Sequence, residues 1–288
     1  MPLNSTSLTS PPAPVLMRQC CRNPWDTYQE PIRMAPGVWY ISGNNWVAAY
    51  LIDTGDGLIL IDTAMHETAY LMLENIRKIG YDPKDIKLIL LSHAHCDHIG
   101  AARTMKELTG AKVYLGERDW FFLTERKDLI FNDGPYTCGD FTPDEGYADD
   151  KPITLGNVTI HTVATPGHTP GCTSFFFEVT DEGGKTYKCG MHGGLGLLWN
   201  SKKQFKEIGL PFSLMQEFVD GLKKLDAFDV DITLPSHTNQ VGILLLEDQV
   251  TDDFNPYYDP SIWHELMNER LERAQKILDD AVNEPDPE

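Results

Sequence analysis

Apolar positions in the first hundred residues fall into short runs broken by Gly, Asn and Asp. Gly37-Val-Trp-Tyr-Ile-Ser42, Trp46 to Ile52 and Leu58 to Ile61 are rich in β-branched and aromatic residues and read as antiparallel strands. Thr54-Gly55-Asp56-Gly57 reads as the turn between two of them. Over 65–80 the spacing of Leu71, Leu73, Ile76 and Ile79 predicts a helix stopped at Gly80. The run Ile86 to Leu91 is apolar enough for a central strand covered on both faces. A helix over 99–109 and a strand over 112–115 follow.

The stretch 126–152 loses periodicity and collects Asn, Asp, Gly and Pro, so it reads as a long loop, a candidate rim over a substrate. Strands are predicted near 157–164, 172–179 and 186–190, a helix over 211–226, a strand at 230–234 and an amphipathic terminal helix over 260–282. The alternation of strand and helix in both halves predicts an α/β layered fold. Residues 1–30 read as an irregular N-terminal arm and 31–288 as one domain, with no linker to divide it.

Composition narrows the function classes. Asp and Glu number 43 against 24 Lys and Arg, a formal charge of −19, and no basic stripe offsets it. Such a field repels phosphate backbones, which argues against a nucleic-acid partner. Small anions stay accessible if bound cations make a pocket locally positive. No apolar run approaches the roughly 18 residues of a membrane span. The start of the chain lacks the basic and apolar segments of a secretory signal, so the expectation is a cytoplasmic protein or one whose signal has been removed. Cys20 and Cys21 are adjacent and the other four cysteines scattered, which does not make a disulfide framework.

The chemistry is concentrated after the central strand, in Ser92-His93-Ala94-His95-Cys96-Asp97-His98. Metal ligands must converge to about 2.0–2.2 Å from an ion, which calls for short, fixed spacing on a turn. Alternation sends His93 and His95 to one side and leaves Asp97 and His98 free to face a second ion. A His-rich polar loop is the bland alternative, and the density of ligands at a strand end weighs against it. His168, in Thr165-Pro-Gly-His-Thr-Pro-Gly171, and His237, in Leu234-Pro-Ser-His-Thr238, each follow a strand. Either by itself would be an ordinary loop histidine; beside the first motif they supply the ligands a two-metal site still needs.

His-x-His-x-Asp-His with two later strand-end histidines resembles the metallo-β-lactamase superfamily, from about residue 35 to the end. The resemblance implies a four-layer αββα sandwich with two Zn2+. It implies His93, His95 and His168 on one ion, Asp97, His98 and His237 on the other, and Asp62 supporting the ligands from behind. A zinc-bound hydroxide would attack a carbonyl, with Asp97 as the catalytic residue that orients it. Many superfamily hydrolases carry a bridging Asp where Met191 stands, and a thioether is a poor zinc ligand. That counts against glyoxalase II and lactonase chemistry. Pro24-Trp25, Ser92 to His98, Thr165 to Cys172 and Asn255-Pro-Tyr-Tyr-Asp-Pro260 look like the third subclass of the class B β-lactamases. Met191 and His192 become the candidate substrate contacts.

The leading expectation is therefore a zinc β-lactamase, an activity tied to antibiotic resistance, acting on a small carbonyl-bearing substrate. The alternative is a zinc hydrolase of another ester, thioester or lactone. An iron-binding oxidoreductase is a third reading, since His and carboxylate also suit iron. A nuclease is disfavoured by the charge, and a metal-stabilised binding module by the intact ligand sets.

Overall fold

A computed structural model describes residues 13–130, 138–251, 254–282 and 284. The chain opens with helix α1 (Ala13–Arg22) and continues through strands β1 (Ile32–Ala35), β2 (Val38–Tyr40), β3 (Tyr50–Asp53) and β4 (Leu58–Ile61). Helix α2 (Ala69–Lys78) leads to β5 (Ile86–Leu91), then α3 (Cys96–Ile99), α4 (Ala102–Thr109), β6 (Lys112–Leu115) and α5 (Trp120–Thr124). The second half holds β7 (Ile153–Leu155), β8 (Val158–Ala164), β9 (Thr173–Thr180) and β10 (Thr186–Met191). It closes with α6 (Lys202–Glu207), α7 (Ser213–Asp226), β11 (Ile232–Thr233) and α8 (Ser261–Ala281).

Strands β1 to β6 form a six-stranded sheet in chain order, and a five-stranded sheet runs β11-β10-β9-β8-β7. Neighbours are antiparallel up to β4; β4, β5 and β6 are parallel, as are β10 and β11. Parallel neighbours cannot be joined by a hairpin, so α2 and then α3 and α4 serve as crossovers. Every residue of β4 is buried, as expected of a strand covered on both faces. One hydrophobic cluster runs from Ile32 through Phe175 to Ala274, binding the two sheets and their helices into the αββα sandwich. The segments holding Asp62, His93 to His98, His168 and His237 directly follow the C-terminal ends of β4, β5, β8 and β11. In an open α/β arrangement that edge is where backbone leaves the sheets and a crevice can form.

Several local expectations change. The N-terminal arm is not irregular throughout: among its described residues it forms α1 and a 3-10 turn, Pro24–Thr27. Docking explains this, since Cys20 is fully buried and its thiol lies 4.0 Å from Asn44 Oδ1. A ten-residue helix is marginal in water and needs such packing. The helix over 99–109 is two, with α3 already carrying Asp97 and His98. Trp46 to Ala49 lies outside the strand that begins at Tyr50. The 126–152 stretch includes a 3-10 turn, Lys127–Ile130, and its residues 131–137 lie outside the described ones. Strand β7 and helix α6 have no counterpart in the hydrophobic pattern. All six cysteines are free, and no helix among the described residues is long and apolar enough to cross a membrane.

Candidate metal centre

After β5 the chain turns so that His93 and His95 meet edge to face, ring centroids 4.8 Å apart at 89°. His168 closes this group: its Nε2 lies 3.0 Å from His95 Nδ1, and its ring centroid 4.6 Å from that of His93. The single turn of α3 aims Asp97 and His98 at the neighbouring position. There His98 Nε2 is 3.5 Å from Asp97 Oδ2 and 3.4 Å from His237 Nε2, and Asp97 Oδ2 is 3.6 Å from His237 Nε2. Each set keeps its potential ligand atoms within 4.8 Å of one another. The sets adjoin, with the His93 and His98 rings 4.1 Å apart. His237 is held by Trp46, whose ring is 4.7 Å away and whose carbonyl accepts the Thr238 N–H at 2.8 Å. The irregular Trp46 segment thus shapes the site instead of extending β3.

Asp62 decides where the protons sit. It is fully buried, and its Oδ2 accepts from Ser92 Oγ at 2.7 Å and from His98 Nδ1 at 2.8 Å, while Oδ1 accepts from Ser92 N at 2.7 Å. Having given its proton to Asp62, the Ser92 hydroxyl accepts from His93 Nδ1 at 3.0 Å. His168 Nδ1 donates to the Gly196 carbonyl at 2.7 Å. In all three imidazoles the proton is held on Nδ1, and the Nε2 lone pair faces the group of ligands.

The donor set fits a metal. His93 Nε2 is buried without a hydrogen-bond partner, which is costly unless a cation accepts its lone pair. Burial, then the neighbouring imidazoles, holds His93 and His95 well below the usual histidine range. Burial takes His168 down to about 4 and His237 to about 3. Neutral imidazole is the form that binds a metal. His98 moves the other way: burial pulls it down, but Asp97 and Asp62 outweigh that and the net shift is upward.

Met191, at the end of β10 opposite Phe175, is fully buried. Neither ligand set takes a residue from β10. His192 is 3% exposed, and its Nδ1 accepts the Gly194 N–H at 3.0 Å. Its ring centroid lies 6.1 Å from that of Phe218, and burial first, then the fields of His168 and Arg270, take it down to about 3. The loop it holds wraps His168: a Cβ on Gly194 would come within 2.4 Å of His168 Cδ2, and one on Gly196 within 2.7 Å of Cε1. Only glycine lets the backbone approach the ring so closely.

One residue that sequence reasoning missed is Asp119, fully buried behind the first set. Its Oδ2 accepts from Ala94 N at 3.0 Å and from Thr169 Oγ1 at 2.7 Å, and its Oδ1 from Gly171 N at 2.6 Å. Burial raises this carboxyl to about 6 against the pull of those bonds. In the sequence, Asp before Trp120-Phe-Phe-Leu123 reads as nothing more than a helix cap.

With this geometry in view, comparison with known proteins is specific. Residues 47–183 match the family model of the metallo-beta-lactamase superfamily. The fold is similar to that of BJP-1, a subclass B3 metallo-beta-lactamase of Bradyrhizobium japonicum, with a TM-score of 0.77 and 28% identity over 90% of this chain and 97% of that one. Curated relatives align over less. An uncharacterized protein of Bacillus subtilis, YobT, is 31% identical across 45% of this chain and 56% of its own length. The N-acyl homoserine lactonase AttM of Agrobacterium fabrum is 33% identical across 37% and 41%. The chain thus spans about half the length of these curated relatives. Family model over residues 47–183, likeness of fold over nine-tenths of the chain and paired ligand sets point the same way: the chain is similar to proteins of the metallo-β-lactamase superfamily.

Proposed function

We propose that the protein is a dizinc hydrolase that opens the amide of a β-lactam. The observation that carries this is the pair of adjoining ligand sets, three imidazoles beside an Asp-His-His set, with no carboxylate from β10 in either and Met191 buried at that strand's end. Likeness to a subclass B3 enzyme over nine-tenths of the chain supports it. His93, His95 and His168 would hold one ion, and Asp97, His98 and His237 the other. Bound zinc supplies Lewis acidity and brings the ionisation of water toward neutral pH. Asp97 orients the attacking water and takes its proton at a carboxylate oxygen. As the new C–O bond forms and the C–N bond breaks, that proton passes to the departing nitrogen. Asp62, through His98 and through Ser92 to His93, keeps the ligand lone pairs in place.

Purified protein assayed with a chromogenic cephalosporin, with zinc added and then chelated, tests the reading. Zinc-dependent turnover at or above about 1 s⁻¹ is expected, the low end of ordinary enzymes. The lactonase match favours a second reading, hydrolysis of a lactone, ester or thioester at the same site. Zinc-loaded protein that leaves the cephalosporin intact but opens an acyl lactone would establish that reading instead. Elemental analysis showing iron in place of zinc would overturn both.

A further inference from the structure

Asp119 precedes α5 at the position where an Asp ordinarily caps its own helix, yet its side chain makes no capping bond there. All three of its hydrogen bonds leave the element. One goes to Ala94 N, between the ligands His93 and His95; the others go to Thr169 Oγ1 and Gly171 N, just after the ligand His168. The carboxylate thereby joins two loops that lie 25 and 50 residues away from it in sequence. Its surroundings leave little slack: a Cβ on Gly171 would sit 2.7 Å from Asp119 N and 2.8 Å from its Cγ. None of the three bonds reaches the Asp97, His98 and His237 set.

A buried carboxylate is an expensive way to hold a fold, because well-packed apolar replacements often serve stability as well or better. Its directional acceptors suit a different task, fixing the distance between two ligand-bearing loops to within a few tenths of an ångström. We infer that Asp119 is a positioning residue for the first metal set, locking the His93/His95 loop to the His168 loop and so setting that set's affinity without touching the other. This rests on the reading of the two sets as metal sites.

The test is titration of the full-length, chelator-stripped protein with zinc against a chromophoric chelator, and with cobalt(II) followed by its visible spectrum. Wild type should take up two ions. In Asp119→Ala the affinity of the first set should fall about 10- to 100-fold, as for other groups that orient ligands from behind, and its cobalt bands should shift. The second set, identified by its loss in His237→Ala, should keep its affinity. Asp119→Asn, which retains acceptors for Ala94 and Thr169, should recover part of the loss. Thr169→Val removes one bond at nearly constant volume and should give a smaller drop in the same step; it carries the test should Asp119→Ala fail to fold. Two unchanged binding steps in a folded Asp119→Ala or Thr169→Val variant overturn the proposal and leave the metal sites standing. A wild type that binds no ion overturns the sites themselves.

Discussion

Asp62 shows how much one side chain can organise. It occupies a left-handed conformation (φ 57°), unusual for a residue other than Gly, and from there accepts three hydrogen bonds at 2.7–2.8 Å. Asp and Asn tolerate this conformation better than other side chains. Asp62→Ala would strand the buried Ser92 N–H and His98 Nδ1–H, each at a cost of about 1–3 kcal/mol. We expect urea unfolding of the zinc-free variant to show a loss of about 3 kcal/mol or more, and Asp62→Asn a smaller one; an unchanged midpoint would contradict the network. The Asp at the end of Leu60-Ile-Asp is legible as an acid near the ligands. Its relay through Ser92 to His93 is not, because the hydroxyl's role follows from what surrounds it. His192 gives the opposite lesson. As a polar residue after a strand it reads as a substrate contact, and the fold closes it from solvent against Phe218.

At the scale of elements, ligand spacing comes from where strands stop. β5 delivers His93 and His95 by alternation, and α3 adds the turn that separates Asp97 and His98 from them. The loop after β8 then has to lie against the turn after β6, and the contact is backbone on backbone: a Cβ on Gly116 would sit 2.0 Å from the Gly171 carbonyl oxygen. Gly116→Ala must push the His168 loop away or distort β6, at about 1–3 kcal/mol for overpacking. Thermal unfolding should register that loss together with weaker zinc retention on dialysis; a variant matching wild type in both would show that the contact is not tight. Strands β5, β6, β8, β9 and α7 and α8 were readable from periodicity because each presents a long apolar face. α6 and β7 were not, since six and three residues leave no period to detect; α1 was not, because it follows a Ser-, Thr- and Pro-rich stretch that reads as an irregular arm.

The molecule as a whole couples its site to its acid stability. His93, His95, His168, His192 and His237 all have folded pKa values below the ordinary histidine value, so on acidification the unfolded chain takes up protons first. Their contribution is complete above about pH 6.5 and is lost as pH falls toward the lowered folded values, about 4 for His168 and about 3 for His192 and His237. Asp119 and His98, both raised, act in the reverse sense, but the five lowered imidazoles outnumber them. Denaturant unfolding of chelator-treated protein should therefore show stability rising with pH between about 4 and 6.5, by about 1.4 kcal/mol per pH unit for each net proton. A flat or falling profile would mean that these imidazoles are not buried neutral. Added zinc should raise the unfolding temperature at neutral pH, because a ligand that binds only the folded state stabilises it. By itself the sequence determined the layered α/β class, the strand ends that carry His93 to His98, His168 and His237, and hence the metal chemistry. Those are local matters of residue type, alternation and turn, each written within a few neighbouring positions. Only the tertiary structure decided which histidine faces which, where each imidazole keeps its proton, and that Asp119 ties two ligand loops together. Hydrogen bonds between residues 25 to 50 positions apart exist only once the sheets have packed, and no pattern along the chain encodes their partners.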